Sequence, residues 1–231
     1  MKRILNRILA MLLAAILLAA PVCAAQTGYT DVPENAWYEE AIRTVTEQGW
    51  MNGTGSGKFS PNATLTRAML ATVLWRMENC PAAAATGNFT DTVRGSWYDG
   101  GVSWCVAEGI FQGFPDGSFR PNDAITREQL ALVFYRYADA KPTGAAAKVS
   151  VKNGCSWALD ACAWANAEGL FTDALGTLDL CAPANRAEIA YWLAHFDSGT
   201  SASSLTEGSF EGLGYLLYTP ENASKNLPLL V

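Results

Sequence analysis

The feature that most constrains this fold is an internal repeat, because one long segment of the chain recurs sixty residues later. The sequence from Tyr29 to Leu70 aligns without a gap with that from Phe89 to Leu130, and tryptophan, glycine, phenylalanine, proline and arginine fall at equivalent positions. A weaker third copy keeps Trp157 at the same spacing, whereas Arg186 lies 59 residues after Arg127. We therefore expect similar units that pack on one another.

Each copy is predicted to form a helix, a loop and a second helix. In the first copy, apolar residues recur at helical spacing from about Trp37 to Gln48, and Gly49 can end the helix in the left-handed conformation. The loop segments GTGSGKF and GFPDGSF are rich in turn formers, and the phenylalanine in each is expected to enter the core. Two helices of about twelve residues cannot bury their apolar faces alone, so we predict a mainly α fold of three packed copies.

The second helix of each copy begins at a capping residue that is followed by an arginine. Thr126 with Gln129, and Asn185 with Glu188, match the capping-box pattern, whereas the first copy keeps only Thr66. Capping explains these residues but not the arginine, because a cation is disfavoured near the positive end of a helix dipole. We expect this arginine to lie at an exposed helix start and to serve binding more than folding.

The N-terminal segment, residues 1–25, has the layout of a secretory signal peptide. Lys2, Arg3 and Arg7 precede an apolar run from Ile8 to Ala20, and small residues follow. The run is too short for a permanent membrane span, so we predict export. Removing the segment takes away three positive charges and changes the net charge from -6 to -9, which makes nucleic acid an improbable partner.

The cysteines and the single histidine give little indication of a metal site or a cofactor. Cys155, Cys162 and Cys181 lie close together in the sequence, and a disulfide among them is compatible with an exported protein. One histidine and no Cys-x-x-Cys pair argue against a metal site, so we predict neither a metal nor a cofactor. His195 has no nucleophile elbow near it in the sequence, and we expect it to be structural.

Segments such as FTDTVRGSWY and AEGIFQGFPDGSFRPNDAITREQ resemble S-layer homology repeats. That family's pattern has an aromatic-x-Asp start, a tryptophan, a glycine-rich centre that ends in Phe-x-Pro, and Ile-Thr-Arg-Ala-Glu. The resemblance covers residues 29–79, 89–140 and 149–196. It implies three repeats packed as a pseudo-threefold helical domain within a monomer. It also implies an exported protein at the cell wall or S-layer that binds pyruvylated secondary cell-wall polysaccharide.

The resemblance also implies which residues bind the polysaccharide. A pyruvyl ketal leaves a carboxylate on the sugar, which a guanidinium and the free N–H groups of a helix N-terminus can bind, while a tryptophan offers a flat face to the sugar ring. The pattern gives each repeat its own pair of tryptophan and arginine, and gives the first two repeats an aspartate. The ligand-binding residues would be Trp37, Arg67 and Asp31; Trp97, Arg127 and Asp91; and Trp157 and Arg186. Val151 replaces the aspartate in the third repeat.

Each of these residues also has a structural interpretation. A single tryptophan can equally anchor the packing of two copies, and an arginine beside a cap can pair with an acidic neighbour. The remaining tryptophans do not match the family's site and are expected in the core: Trp50, Trp75, Trp104, Trp164 and Trp192.

An enzyme and a purely structural layer protein are the alternatives to an anchoring module. A glycosidase needs two carboxylates, one of them in an apolar setting, whereas Asp31 and Asp91 occur singly in separate repeats. We therefore predict no enzymatic activity for this chain as it stands. A structural surface-layer protein is the second alternative, although the sequence outside the three repeats is short for a lattice domain.

The last segment, residues 197–231, differs in composition from the repeats. It begins rich in Ser, Thr and Gly, as a linker does, and continues with the strand-like run GYLLYTP and the apolar LPLLV. The run resembles the entry strand of α/β-hydrolase esterases. We expect the chain to be the wall-anchoring portion of a longer exported protein, such as a truncated surface esterase.

Overall fold

The computed structural model describes residues 28–83, 89–142, 153–154, 156–171 and 177–197, and the backbone of 204–210 and 213–219. The predicted signal peptide, Val151 and Cys155 lie outside these residues. The α-helices of the described part are α1 Glu39–Glu47, α2 Arg67–Met77, α3 Asp99–Ala107, α4 Arg127–Tyr137, α5 Leu159–Ala167 and α6 Arg186–Asp197. A 3-10 turn at Ser156–Ala158 leads into α5. The predicted mainly α fold of helix-loop-helix repeats is confirmed.

The helices pack in a closed cycle rather than within their own repeats. The second helix of the first repeat, α2, packs on α3 of the second repeat, and α4 packs on α5 of the third. The cycle closes where α6 packs on α1 of the first repeat. Each repeat therefore buries the apolar face of its neighbour, and the six helices form the expected pseudo-threefold domain.

The starts of the three second helices meet in the middle of this cycle. Short antiparallel bridges join Thr66 to Ala124, Thr126 to Pro183, and Thr64 to Asn185. Each bridge connects the segment before one second helix to the corresponding segment of the next repeat. The pseudo-threefold arrangement is thus fixed by backbone hydrogen bonds as well as by helix packing.

The core contains the apolar residues that the repeat pattern assigns to it. Phe59 and Phe119 of the Phe-x-Pro segments are completely buried, as predicted. Four of the five tryptophans expected in the core are buried, and Trp75 is partly buried against it. Gly49 has a φ of 70° at the end of α1, in the left-handed conformation that the sequence predicts there.

The described helices include none with the length and apolarity needed to cross a bilayer. Cys162 is buried in α5 with a free thiol, so it takes no part in the disulfide considered for this region. Burial, together with the charge of Glu128, raises the pKa of this thiol to about 12.

Two strands follow the helical repeats, β1 Ser204–Phe210 and β2 Leu213–Thr219, and they pair as an antiparallel hairpin. The strand predicted at GYLLYTP corresponds to β2. β1 lies in the segment that composition suggests is a linker.

Candidate functional site

The arginine at the start of each second helix inserts into the loop of the next repeat. Arg67 of the first repeat donates from Nε to the carbonyl of Phe119 at 2.9 Å and from Nη2 to that of Gln112 at 3.1 Å. Its guanidinium also lies 4.8 Å from the ring centre of Phe114. Only 5% of Arg67 is exposed, so this side chain joins the first repeat to the second.

The other two arginines make the same kind of contact around the cycle. Arg186 of the third repeat donates to the carbonyls of Phe59 and Asn52 in the first repeat, and its guanidinium lies over the Phe59 ring. Arg127 of the second repeat reaches the third, where it donates to the carbonyl of Asp179 and pairs with Glu188 at 2.8 Å. All three arginines therefore connect neighbouring repeats.

The backbone N–H groups at these helix starts are occupied as well. The N–H of Arg67 donates to the carbonyl of Asp123, and that of Arg127 to the carbonyl of Ala182. The N–H of Arg186 donates to the carbonyl of Ala63. The expectation of an exposed arginine beside free N–H groups is therefore wrong, because the neighbouring repeat supplies the acceptors.

The capping boxes are only partly formed. Asn185 and Glu188 make the reciprocal pair, since Oδ1 of Asn185 accepts from the N–H of Glu188 and Oε2 of Glu188 accepts from the N–H of Asn185. Thr126 accepts from the N–H of Gln129, but the side-chain Oε1 of Gln129 is buried and accepts no hydrogen bond from the described residues. The second repeat thus keeps only half of the box that its sequence predicts.

The two aspartates of the family pattern hold their own loops. The carboxylate oxygens of Asp31 accept from the N–H groups of Phe59 and Ser60 at 2.8 and 2.9 Å. Asp91 accepts in the same way from the N–H groups that begin the Phe-x-Pro segment of the second repeat. Burial alone would raise the pKa of Asp31, but these backbone donors lower it below its ordinary value.

The three predicted site tryptophans are exposed, unlike most others in the chain. Trp37, Trp97 and Trp157 expose 50%, 58% and 51% of their surface. Each lies just before the first helix of its repeat or, in the third repeat, within the 3-10 turn. Trp37, Trp97 and Trp157 therefore do not belong to the buried core, and each has a face that is accessible to solvent.

A groove of about 240 Å³ brings one of these tryptophans together with an arginine of a different repeat. Arg67 of the first repeat, the loop and α4 of the second, and Trp157 of the third all line it. The family pattern pairs Trp157 with Arg186, whereas Arg186 bonds to the first repeat. The site residues therefore combine across repeats, which position-by-position transfer does not reveal.

A smaller pocket of about 10 Å³ lies at Arg127, and it is lined by Arg127, Glu188 and Tyr191 among others. The Tyr191 ring contacts Trp37 edge to face at 5.6 Å, which places the tryptophan of the first repeat beside this space. Tyr191 also stacks on His195, whose pKa burial lowers.

The groove at Arg67 contains three polar side chains that the sequence analysis did not select. Arg136 donates from Nη2 to Oε1 of Gln112 at 3.1 Å, and Gln129 lies on the same wall. The repeat does keep an arginine at this position in its first two copies, Arg76 and Arg136, but the third copy has His195 there. Only the packing of one repeat on the next shows that they belong to the groove.

The Arg127–Glu188 pair should contribute to folding more than a surface ion pair does. Both side chains are largely buried, with 18% and 15% exposed. We expect Arg127→Ala to lower the free energy of unfolding by about 2–3 kcal/mol, because it leaves a carboxylate in a partly desolvated site. Urea unfolding of Arg127→Ala, Glu188→Gln and the double variant measures their coupling, which we expect to be about 1 kcal/mol. Arg76→Ala, which removes an exposed arginine near the end of α2, is the control, and additive effects would contradict the pairing.

The Asp31 carboxylate should make stability depend on acidic pH. Because its folded pKa lies below the unfolded value of about 3.9, its contribution is complete above that pH and is lost as the pH falls through the folded pKa. Asp31→Asn should therefore destabilise the domain at pH 7, and the difference from the unmodified chain should shrink below about pH 4. Thermal unfolding at several pH values measures this, and a constant difference would show that ionisation of Asp31 is irrelevant.

Comparison with known sequences places this geometry in a family. The family model described as "S-layer homology domain" matches residues 28–69 and 88–131, which are the first two repeats. The third repeat has the same two-helix plan in the structure.

The chain is also similar to parts of several surface-associated proteins. It is 30% identical to a "Surface layer protein" of Brevibacillus choshinensis, over 62% of this chain and 13% of that protein. It is 30% identical to a "Cellulosome-anchoring protein" of Acetivibrio thermocellus, over 51% of this chain and 27% of that protein. It is 32% identical to "Endo-1,4-beta-xylanase A" of Thermoanaerobacterium saccharolyticum, over 50% of this chain and 10% of that protein.

The similarity thus spans between a tenth and about a quarter of each of these relatives. The motifs, the helix cycle and the match over residues 28–69 and 88–131 agree that this chain carries S-layer homology repeats.

Proposed function

We propose that this chain attaches an exported protein non-covalently to the bacterial cell surface by binding wall polysaccharide in the grooves between its repeats. The observation that carries the proposal is the groove in which half-exposed Trp157 faces the same space as Arg67. An aromatic face and a cation around one open groove suit a sugar ring that bears an acidic group.

The tryptophans support a saccharide ligand. A pyranose ring has an apolar C–H face that packs on an indole, and its hydroxyl groups stay near water at the groove edge. Three such tryptophans at equivalent positions allow one polymer chain to be held at several points, which raises the overall affinity without stronger individual contacts. Trp37, Trp97 and Trp157 are the proposed stacking residues.

The local charge supports an acidic ligand. The whole chain has a net charge of -6, yet the groove at Arg67 has positive side chains on its wall. Pyruvylated secondary cell-wall polysaccharide is the acidic polymer that the family resemblance implies. In this proposal Arg67, Arg127 and Arg186 both hold the repeats together and give their grooves positive charge, while Asp31 and Asp91 hold the loops that shape the grooves.

The names of the relatives suggest what this attachment serves. One is called a cellulosome-anchoring protein. Another is named as a xylanase, and the matched region makes up a tenth of its length. An anchoring module that is joined to different partner domains explains both matches. We propose that the chain itself is not an enzyme, that it is exported, and that its three repeats act as a monomer.

Sedimentation with purified wall sacculi tests the proposal. We expect the chain without residues 1–25 to sediment with sacculi, and to stay in solution when the sacculi have been stripped of secondary polysaccharide. Trp157→Ala should weaken binding about tenfold, because it removes the stacking face of the open groove.

Val93→Ala provides the matched control, since Val93 is also an exposed apolar residue, at 63%, and does not line the groove at Arg67. Circular dichroism of both variants verifies that the helical domain is intact. Equal sedimentation with native and stripped sacculi would contradict polysaccharide binding.

A further inference from the structure

An asparagine–glycine pair lies at the boundary between the third repeat and the first. Asn52 and Gly53 are in the loop that follows α1, outside the described helices, and Asn52 is exposed to water. The backbone carbonyl of Asn52 accepts a hydrogen bond from Nη2 of Arg186 at 2.7 Å. The peptide group between Asn52 and Gly53 therefore takes part in the contact that closes the helix cycle.

An asparagine that precedes a glycine can lose its side-chain amide in water, because glycine has no Cβ to hinder the reaction. The backbone nitrogen of the glycine attacks the side-chain carbonyl carbon and closes a five-membered succinimide ring. The side-chain nitrogen leaves as ammonia and takes up the proton that the backbone N–H gives away. Water then opens the ring and leaves either aspartate or its β-linked isomer, isoaspartate. One water is consumed and one ammonia is released, without an oxidant or a cofactor.

The backbone nitrogen of Gly53 is available for this attack. Within the part of the chain that the structure describes, its N–H donates to no acceptor, so no hydrogen bond has to break before the nitrogen reacts. A Cβ at this position would lie 2.6 Å from the carbonyl oxygen of Lys58 and 2.6 Å from the ring of Tyr29. The packing of the loop therefore requires glycine after Asn52.

Arg186 makes the same peptide group more reactive. The attacking species is the peptide without its N–H proton, and its negative charge is shared between the nitrogen and the carbonyl oxygen. Arg186 donates to that oxygen, and a charged donor stabilises an anion that develops there. Arg186 is partly desolvated, which lowers its pKa, so water screens its charge less than at the surface.

We infer that Asn52 is a site of spontaneous deamidation in the folded chain, and that the carboxylate formed there pairs with Arg186. The reaction needs only water, and it does not depend on the polysaccharide binding proposed above.

The product places a negative charge beside a cation that forms no ion pair with the described residues. The side chain of residue 52 leaves the same Cα as the carbonyl group that Arg186 contacts, so an aspartate there can reach the guanidinium. In the isoaspartate product, the former main-chain carbonyl carbon carries the free carboxylate, at the atom to which Arg186 already donates. Both products therefore neutralise Arg186 at the boundary between the third and first repeats.

The other asparagine–glycine pair of the chain provides an internal comparison. Asn153 precedes Gly154, and its carbonyl accepts from the backbone N–H of Leu180 at 3.2 Å. A neutral N–H stabilises an anion less than a guanidinium does. Asn153 should therefore react more slowly than Asn52 in the folded chain.

The second repeat provides a comparison at the equivalent position. There Gln112 precedes Gly113, and its carbonyl accepts from Arg67 in the same way. A glutamine side chain is one carbon longer and has to close a six-membered ring, which brings the reacting atoms together less readily. The arginine contact is thus present in both repeats, but the reactive side chain is present only in the first.

Peptide mapping by mass spectrometry measures the modification. The folded chain is kept in mildly alkaline buffer, and conversion at Asn52 and Asn153 is followed in the same digests, where each deamidation adds about 1 Da. We expect Asn52 to convert at least about fivefold faster than Asn153, because its peptide group has the charged donor. In concentrated guanidinium chloride the two rates should agree within about twofold, since unfolding removes the contact with Arg186.

Two variants separate the roles of the side chains. Arg186→Gln keeps a donor for the carbonyl but removes the charge, so Asn52 should slow to about the rate of Asn153. Asn52→Gln copies the second repeat and should stay unmodified, with a melting temperature within about 2 °C of the original. Circular dichroism verifies that both variants are folded. If Arg186→Gln does not fold, the comparison of the folded and unfolded chains decides.

Asn52→Asp makes the aspartate product permanent and tests its pairing with Arg186. The melting temperature should rise by about 1–3 °C at low salt, and the gain should disappear in about 1 M salt, because a partly exposed ion pair is weak and screened. Asn153→Asp makes the same substitution where no charged donor contacts the carbonyl, and it should show no such gain.

The inference would be overturned if Asn52 in the folded chain converted no faster than Asn153, or equally fast in folded Arg186→Gln and in the original chain. A melting temperature of Asn52→Asp that falls, or that does not respond to salt, would contradict the pairing with Arg186.

Discussion

The insertion of one arginine from each repeat into the loop of the next is the interaction on which the rest of the structure depends. Arg67, Arg127 and Arg186 each bond to backbone carbonyls across a repeat boundary. Two helices alone cannot bury their apolar faces, and the cycle of three contacts places every repeat against both of its neighbours. The same contact explains why a cation is tolerated at a helix start. The hydrogen bonds to carbonyls of the neighbouring repeat outweigh the unfavourable interaction with the helix dipole.

This arrangement limits what could be predicted from the sequence. The repeats, the helix starts, the glycine that ends α1 and the burial of Phe59 follow from local patterns, which depend on residues close in the chain. The partners of Arg67 lie 45 and 52 residues away, in another copy. Self-similarity shows that three copies exist, but it does not show which copy receives each arginine. The groove that contains Trp157 is lined by Arg67 of the first repeat, a combination that grouping by repeat does not predict.

The difference between the grooves has a related origin. At each boundary between repeats, the inserted arginine donates to backbone carbonyls of the next repeat. Every repeat has such carbonyls, whatever its side chains are. The residue beside each inserted arginine is consequently free to vary, as Met69, Gln129 and Glu188 show. The carboxylate of Glu188 forms an ion pair with Arg127, whereas the amide of Gln129 cannot form one with Arg67. Shared architecture and different side-chain chemistry in the grooves are thus compatible in one domain.

A groove built from three repeats also couples binding to the integrity of the whole domain. Arg67, Gln129 and Trp157 come from the first, second and third repeat, so their relative positions depend on both the boundary between the first and second repeats and that between the second and third. A ligand that contacts all three binds the folded state and not one in which either boundary is open, and its stabilising effect grows with the logarithm of its concentration once that concentration exceeds Kd. Under the proposed anchoring function, opening the domain at either of these two boundaries would separate the residues that hold the ligand, so the ligand opposes that opening.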